Sequence, residues 1–562
     1  MRRHLTPGRL ALAAILGGAL AIRLYGLRHG LPFIYHSDES QHFTNYAVEM
    51  FDGSLNPHYF QNPATYTYLV HFALWIQGFD EIAHQYLVDP SDIFETARLV
   101  AVFLCLLGVA AIYAVGRRLW GTFEGLVAAA VLAFAVLPVA YSRYAVTDVG
   151  VLLPMAMSVY ATVKIAEDGR RRYYVIAGLG LGLTVAFKFT AGLVLVPILV
   201  AIALRAWQGR QSIWEIVGGL AIVGGLAVFV FAITNPYFLI DLDEAIDELR
   251  SQRFAAGEVK PGQKQENPYG FYLSTLPWGI GWGALVAAAA GLVVQVRRDR
   301  TRAILLALFP LLLFAYLGLD ADRYFARWIL PAYPALALFA GVAIAALARA
   351  VSPKPLVRAA VLGGLMVAAM AQPIITNIHT GSVLRKDDTR ELARNYMLAN
   401  LPNGTRIVVD AVAIRDEYDL PLLGIERRPG EPEFVSGFGA PPKEHPGAYP
   451  PEPVRTTRFL EDLRPGRIDE YRDKGFCVVV TMSWLRERAE IAGLDKAVAY
   501  YDRLERESKV LFRASPYDDP DDPVPFDFDQ THLYYDKRYD RTGPEVVIRK
   551  LDRCRDGISR RV

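Results

Sequence analysis

About eleven predominantly apolar runs, most of them close to the roughly 17–25 residues that carry a helix across a bilayer, mark this chain at residues 10–27, 99–115, 125–141, 149–163, 173–187, 189–204, 216–234, 271–296, 303–319, 328–347 and 359–376. Runs of that length and number point to an all-α polytopic membrane domain. Hydrophobic residues make up 53% of the 562, yet 21% are charged, so the charge has to be segregated between the runs. A formal net charge of +2 leaves no global basic field for nucleic acid.

The basic clusters test the topology. With Arg2 and Arg3 cytoplasmic, strict alternation places Arg117 and Arg118, Lys164 with Arg170 to Arg172, Arg205 and Arg210, Arg297 to Arg302, and Lys354 and Arg358 on that same side, as the positive-inside rule requires. The alternation holds only if the aromatic segment 66–79 does not cross, so it is expected to lie along the outer interface as a juxtamembrane helix. Arg23 and Arg28 close the first run where a cleavage site would need small residues, so that run is expected to remain as the first span. The expectation is thus a plasma-membrane protein whose membrane domain covers 1–378, with external loops at 28–98 and 235–270. Residues 379–562 are different material, with Pro- and charge-rich loops, a helix-like run at 388–400 and β-branched runs at 406–409, 477–481 and 546–548. They read as a C-terminal α/β extracytoplasmic domain. The three cysteines show no metal or redox spacing; Cys105 lies in an apolar run, and a disulfide is open to Cys477 and Cys554.

Chemistry is expected where ionisable groups meet the outer edge of the bilayer. In the first external loop, Phe43, Tyr46, Ala47, Met50 and Phe51 follow helical spacing, so Ser37 onward reads as an amphipathic helix with Asp38 and Glu39 in its first turn. Acidic residues favour helix N-termini for structural reasons, while a carboxylate at the bilayer surface can also act as a general base. Asp148 opens the run 149–163, and Lys188 interrupts an otherwise continuous apolar stretch. Such groups pair, snorkel to headgroups or line a polar cavity. Arg323 and Arg327 offer guanidinium forks to a phosphate, or pair with Asp320 or Asp322. Aromatic residues of the tail, such as Trp484, Tyr534 and Tyr535, read as core or as sugar-stacking platforms.

The order of these segments carries a resemblance. One helix, an external loop with Asp38-Glu39 and a downstream aromatic-Pro segment, YSRYAVTDV (141–149), AFKFTAG (186–192), RYFARWILPAYP (323–334) and DTRELARNYMLANLPNG (388–404) together resemble the membrane glycosyltransferases of the protein O-mannosyltransferase and aminoarabinose-transferase superfamily over about the first 400 residues. The resemblance implies a C-type glycosyltransferase fold, a polyprenyl-phosphate-linked sugar donor and an outward-facing active site. It implies Asp38, with Glu39 beside it, as the catalytic carboxylate, and Lys188, Arg323 and Arg327 as ligands of the donor phosphate. Asp148, His36, Arg143 and Tyr324 are further site candidates from the matched motifs. Where aminoarabinose transferases resemble Tyr-Phe-Glu-Lys-Pro, this chain has Tyr59-Phe60-Gln61-Asn62-Pro63, so an aminoarabinose donor and a lipid A acceptor are not carried over.

The function expected is an inverting transfer of a sugar, mannose by resemblance, onto a hydroxyl of an extracytoplasmic protein, lipid or glycan. No cofactor is expected, and no metal, because a lipid phosphate is already a good leaving group. A transporter or lipid flippase is the alternative from another class, and a membrane anchor for the C-terminal domain a third. Polar residues gathered at one face of the bundle favour surface chemistry over transit.

Overall fold

A computed structural model describes residues 6–36, 38–39, 42–78, 82–256, 262–263, 267–319, 323–351, 353–402, 405–409, 435–436, 463–528 and 530–555. Among them, eight helices are long and apolar enough to cross a membrane: Pro7–Leu24, Ser91–Leu119, Asp148–Glu167, Phe189–Trp207, Ile213–Thr234, Arg300–Leu319, Ala326–Val351 and the one beginning at Pro355. Two bent pairs bring the number to ten. The remaining apolar run forms Arg171–Phe187, a 17-residue helix.

Two expected spans are corrected, the run 125–141 being two helices, Thr122–Phe134 and Val136–Ser142, that meet at 56°. The run 271–296 is two helices, Pro268–Gly279 and Trp282–Arg298, that meet at 111°. Gly281 makes the turn at φ 95°, where a Cβ would also approach Pro373 to 2.9 Å. Trp282–Arg298 then packs so closely on Tyr333–Val351 that a Cβ on Gly291 would stand 1.8 Å from the Phe339 carbonyl oxygen.

The first loop is corrected as well. Phe43 adopts φ 39°, a left-handed conformation costly for a residue with a Cβ, and only beyond it does the helix Thr44–Glu49 begin. Asp38 and Glu39 therefore sit in a separate short helical turn before this break. The aromatic segment forms Thr65–Gln77, whose 13 residues rise about 20 Å, too little for a hydrocarbon core of about 30 Å. Its Tyr66 hydroxyl donates to the Ala97 carbonyl at 2.6 Å, while Phe72, Trp75 and Ile76 stay exposed.

Two guanidiniums lie buried at one end of the bundle. Arg23 donates to the Ala19 and Ala133 carbonyls at 2.9 and 2.8 Å, and Arg143 to the Ile22 carbonyl at 2.7 Å. The Ile22 and Ala133 carbonyls lie in the last turns of Pro7–Leu24 and Thr122–Phe134, so the negative ends of two helix dipoles face the buried charges.

The helix from Pro355 runs to Leu384, and Thr389–Asn400 follows it with Asp388 as its N-cap. A five-stranded sheet of order β2-β1-β3-β5-β4 comes next, from β1 (Arg406–Val409), β2 (Val435–Ser436), β3 (Val478–Met482), β4 (Ser508–Ala514) and β5 (Val546–Leu551). β1 pairs in parallel with β2 and β3, whereas β5 is antiparallel to both neighbours. The β-branched runs lie at this sheet's centre and pack with Leu485, Ala497 and Tyr500 into a core separate from that of the helices. Cys477 and Cys554 are joined, tying the start of β3 to the segment after β5 across 77 residues. Cys477→Ser is expected to lower stability by about 2–4 kcal/mol through the freer unfolded chain. Chemical unfolding of the full chain in detergent, followed by near-UV circular dichroism, measures this; an unchanged midpoint refutes it.

Candidate active site

Three long helices each begin with a 3-10 turn, and each of these turns has a charge at its start. Asp148 opens Asp148–Val151 ahead of Leu152–Glu167. Lys188 is an extended residue, φ −157° and ψ 113°, between Arg171–Phe187 and the turn Phe189–Val194. Arg327 lies in the turn Ala326–Ala332 ahead of Tyr333–Val351. An interrupted helix leaves backbone and side-chain polar groups together at one level, which apolar surroundings tolerate only if the groups find each other.

They do. The Lys188 ammonium lies 2.5 Å from an Asp148 carboxylate oxygen and donates to the Arg327 main-chain carbonyl at 3.1 Å. The Arg327 guanidinium lies 2.9 Å from the Asp38 carboxylate. Thr147 ties two of the breaks together by donating to the Phe187 carbonyl at 3.1 Å. Residues 38, 327, 188 and 148 thus form one row in which two cations stand side by side between two carboxylates. Its members combine a carboxylate able to accept a proton with two cations able to hold an anion. His36 completes the edge, its ring 4.3 Å from that of Tyr144. Burial holds the His36 imidazole below its usual range although Asp38 and Glu39 pull it upward.

Glu39 faces elsewhere. Its two oxygens meet Nε and Nη2 of Arg98 at 2.6 and 2.8 Å, and one of them also accepts the Ala145 N–H at 2.9 Å. Arg98 in turn donates to the Leu27 and His29 carbonyls at 2.6 and 2.9 Å. Glu39, expected beside Asp38 in catalysis, is thus buried and engaged on both oxygens with Arg98 of the helix Ser91–Leu119 and with the Ala145 N–H. Arg143 likewise serves the helix ends described above. Tyr324 is buried with its ring 4.5 Å from Phe271, and its carbonyl accepts from Gln263 at 2.6 Å. Arg323 is half-buried at the start of the same segment, and its expected partners Asp320 and Asp322 lie outside the described residues. No group of three His, Cys, Asp or Glu side chains able to hold a metal occurs among the described residues.

Sequence reasoning missed Arg98, whose only signal was a charge at the edge of an apolar run. It also missed the seam between the first loop and the C-terminal segment. There Arg390 pairs with Asp388 at 2.7 Å and lies 3.6 Å above the Tyr35 ring, with Trp484 on its other side at 5.5 Å. His29, His36, Tyr144 and Tyr535 line the same small cavity. The tail's tyrosines serve packing: Tyr535 joins Val383 and Leu384, and Tyr534 stands 5.7 Å from Trp278.

Comparison with known proteins follows this geometry. Residues 91–234 match the family described as dolichyl-phosphate-mannose-protein mannosyltransferase. No curated protein matches the sequence. Among solved structures, the chain is similar to ArnT from Cupriavidus metallidurans bound to undecaprenyl phosphate, at TM-score 0.50 and 14% identity over 95% of this chain and 97% of that one. It is also similar to the Archaeoglobus fulgidus oligosaccharyltransferase in its apo form, at TM-score 0.55 and 13% identity over 93% of this chain and 75% of that one.

Proposed function

We propose that this chain, which shares its fold with ArnT and the archaeal oligosaccharyltransferase, is a membrane glycosyltransferase that transfers a sugar from a polyprenyl phosphate donor to a hydroxyl of an extracytoplasmic acceptor, with inversion, and that Asp38 is the base. The observation that carries this reading is the placement of the Asp38 carboxylate 2.9 Å from Arg327, in a row of charges that continues to Lys188.

The chemistry is a single displacement. The acceptor oxygen forms a bond to the anomeric carbon while its proton passes to an Asp38 carboxylate oxygen. The bond from that carbon to the phosphate oxygen breaks, and its electron pair leaves with the lipid phosphate. The donor phosphodiester carries one negative charge and the departing monoester two. Lys188 and Arg327 therefore bind the leaving group more strongly than the donor, which is the condition for catalysis rather than mere affinity. This step has no oxidation and no obligatory metal, so turnover is proposed to survive chelation.

Mannose as the sugar has its support in the description of the matched family, and a polyprenyl phosphate carrier in the undecaprenyl phosphate held by the ArnT structure. An outward-facing site has two supports. The Cys477–Cys554 disulfide suits an oxidising compartment. The basic clusters meet at the end of the bundle remote from the charge row, where Arg302 pairs with Glu167 and Arg205 donates to the Glu167 carbonyl.

Purified full-length protein in detergent, given radiolabelled synthetic polyprenyl phosphate mannose with and without EDTA, tests the proposal through transfer to added acceptors or to water. Lys188→Ala is expected to lower kcat/KM for the donor about 10–100-fold, the worth of one hydrogen bond between charged groups. Movement of a lipid or solute in proteoliposomes, without any release of sugar, would instead favour transport.

A further inference from the structure

Both cations proposed for the donor phosphate already have carboxylate partners, Lys188 with Asp148 and Arg327 with Asp38. A phosphate that binds between them has to share or displace one of these. The Lys188 and Asp148 side chains are 12% and 8% exposed, whereas Arg327 and Asp38 are 19% and 26% exposed. Opening the drier pair would strand a charge in an apolar setting, which is the costlier event. The Arg327 main chain is fixed by the Lys188 ammonium on its carbonyl, while its guanidinium lies over the Phe325 ring at 4.4 Å as well as beside Asp38.

We infer that Arg327 serves two anions in turn, holding the Asp38 carboxylate while the donor site is empty and passing to the donor phosphate when it fills, so that the base is released only in the presence of donor. The inference rests on the phosphate site proposed above. Its chemical sense is that a carboxylate bound to a guanidinium is a poor base, and that the enzyme gains a free one only when a glycosyl donor is there to be attacked. The exchange moves no covalent bond.

The same geometry makes a sharp statement about affinity: Asp38 competes with phosphate for one guanidinium. Removing the competitor therefore tightens binding of the lipid phosphate, although Asp38 touches no part of it. The experiment measures Kd for undecaprenyl phosphate on the full chain in detergent for wild type, Asp38→Asn, Arg327→Gln and the double variant, with Lys188→Ala alongside. Asp38→Asn is expected to bind about tenfold more tightly, and that gain is expected to vanish in the Arg327→Gln background. General repulsion between Asp38 and the phosphate would instead leave the gain intact without the arginine, and this result overturns the exchange, as does an unchanged Kd in Asp38→Asn. If neither Arg327→Gln nor Lys188→Ala weakens binding, the phosphate site itself is misplaced, a failure distinguishable from loss of coupling at a genuine site. Should Arg327→Gln not fold, Arg327→Lys replaces it, since it keeps the charge while losing the fork that spans carboxylate and phosphate, and is expected to reduce the gain.

Discussion

Asp38→Asn is expected to lower sugar transfer about 10²–10⁴-fold, the contribution of a positioned general base, while the protein folds and still binds donor lipid. The substitution is nearly isosteric and removes the capacity to accept a proton together with the charge that pairs with Arg327. The two other carboxylates of the site are already engaged. Asp148 is committed to Lys188, and both oxygens of Glu39 are committed to Arg98 and the Ala145 N–H. Turnover of labelled polyprenyl phosphate mannose and a melting curve on the same preparation decide the matter. Wild-type turnover by a folded Asp38→Asn protein would remove Asp38 from the mechanism. Loss of turnover together with a collapsed melting transition would mean that Asp38 acts only as an anchor for Arg327.

The Glu39–Arg98 pair carries the second large effect, on stability. Both side chains are essentially inaccessible, at 0% and 1%, and their two contacts are bidentate. Breaking such a pair from one side leaves a buried charge without its counter-ion and costs about 3–5 kcal/mol. Arg98→Ala and Glu39→Ala are each expected to show that loss as a lowered melting temperature. The joint replacement Glu39→Gln with Arg98→Met is expected to recover much of it, because neither charge then remains. Wild-type melting of Arg98→Ala would refute the assignment. Activity should fall with stability here, since the pair joins the Asp38 turn to the helix Ser91–Leu119 and the segment around Ala145, which places Asp38 next to Arg327.

How much of this was legible depends on the range over which each feature is decided. The run 216–234 predicted the helix Ile213–Thr234, because the preference of an apolar helix for lipid is summed residue by residue along one segment. The β-branched run 406–409 became β1 for a similarly local reason. The run 271–296 misled because its apolar content is continuous while its backbone turns at Gly281, and hydropathy does not report on a dihedral angle. The loop helix expected from Ser37 breaks at Phe43 because packing, not spacing, set the conformation there.

The site shows the same division. Asp38, Asp148, Lys188 and Arg327 could be singled out as ionisable groups beside apolar runs, where a charge is costly enough to need a purpose. Their pairing could not, since Arg327 meets Asp38 across almost 290 positions of sequence. By itself the sequence determined that this chain is a multi-pass membrane protein with ionisable groups at the ends of its apolar runs, since burial energies are additive along a helix. Only the tertiary structure decided which carboxylate meets Arg327 and which one meets Arg98. That choice depends on ångström-scale distances between segments far apart in the chain, set by where three helices break into 3-10 turns.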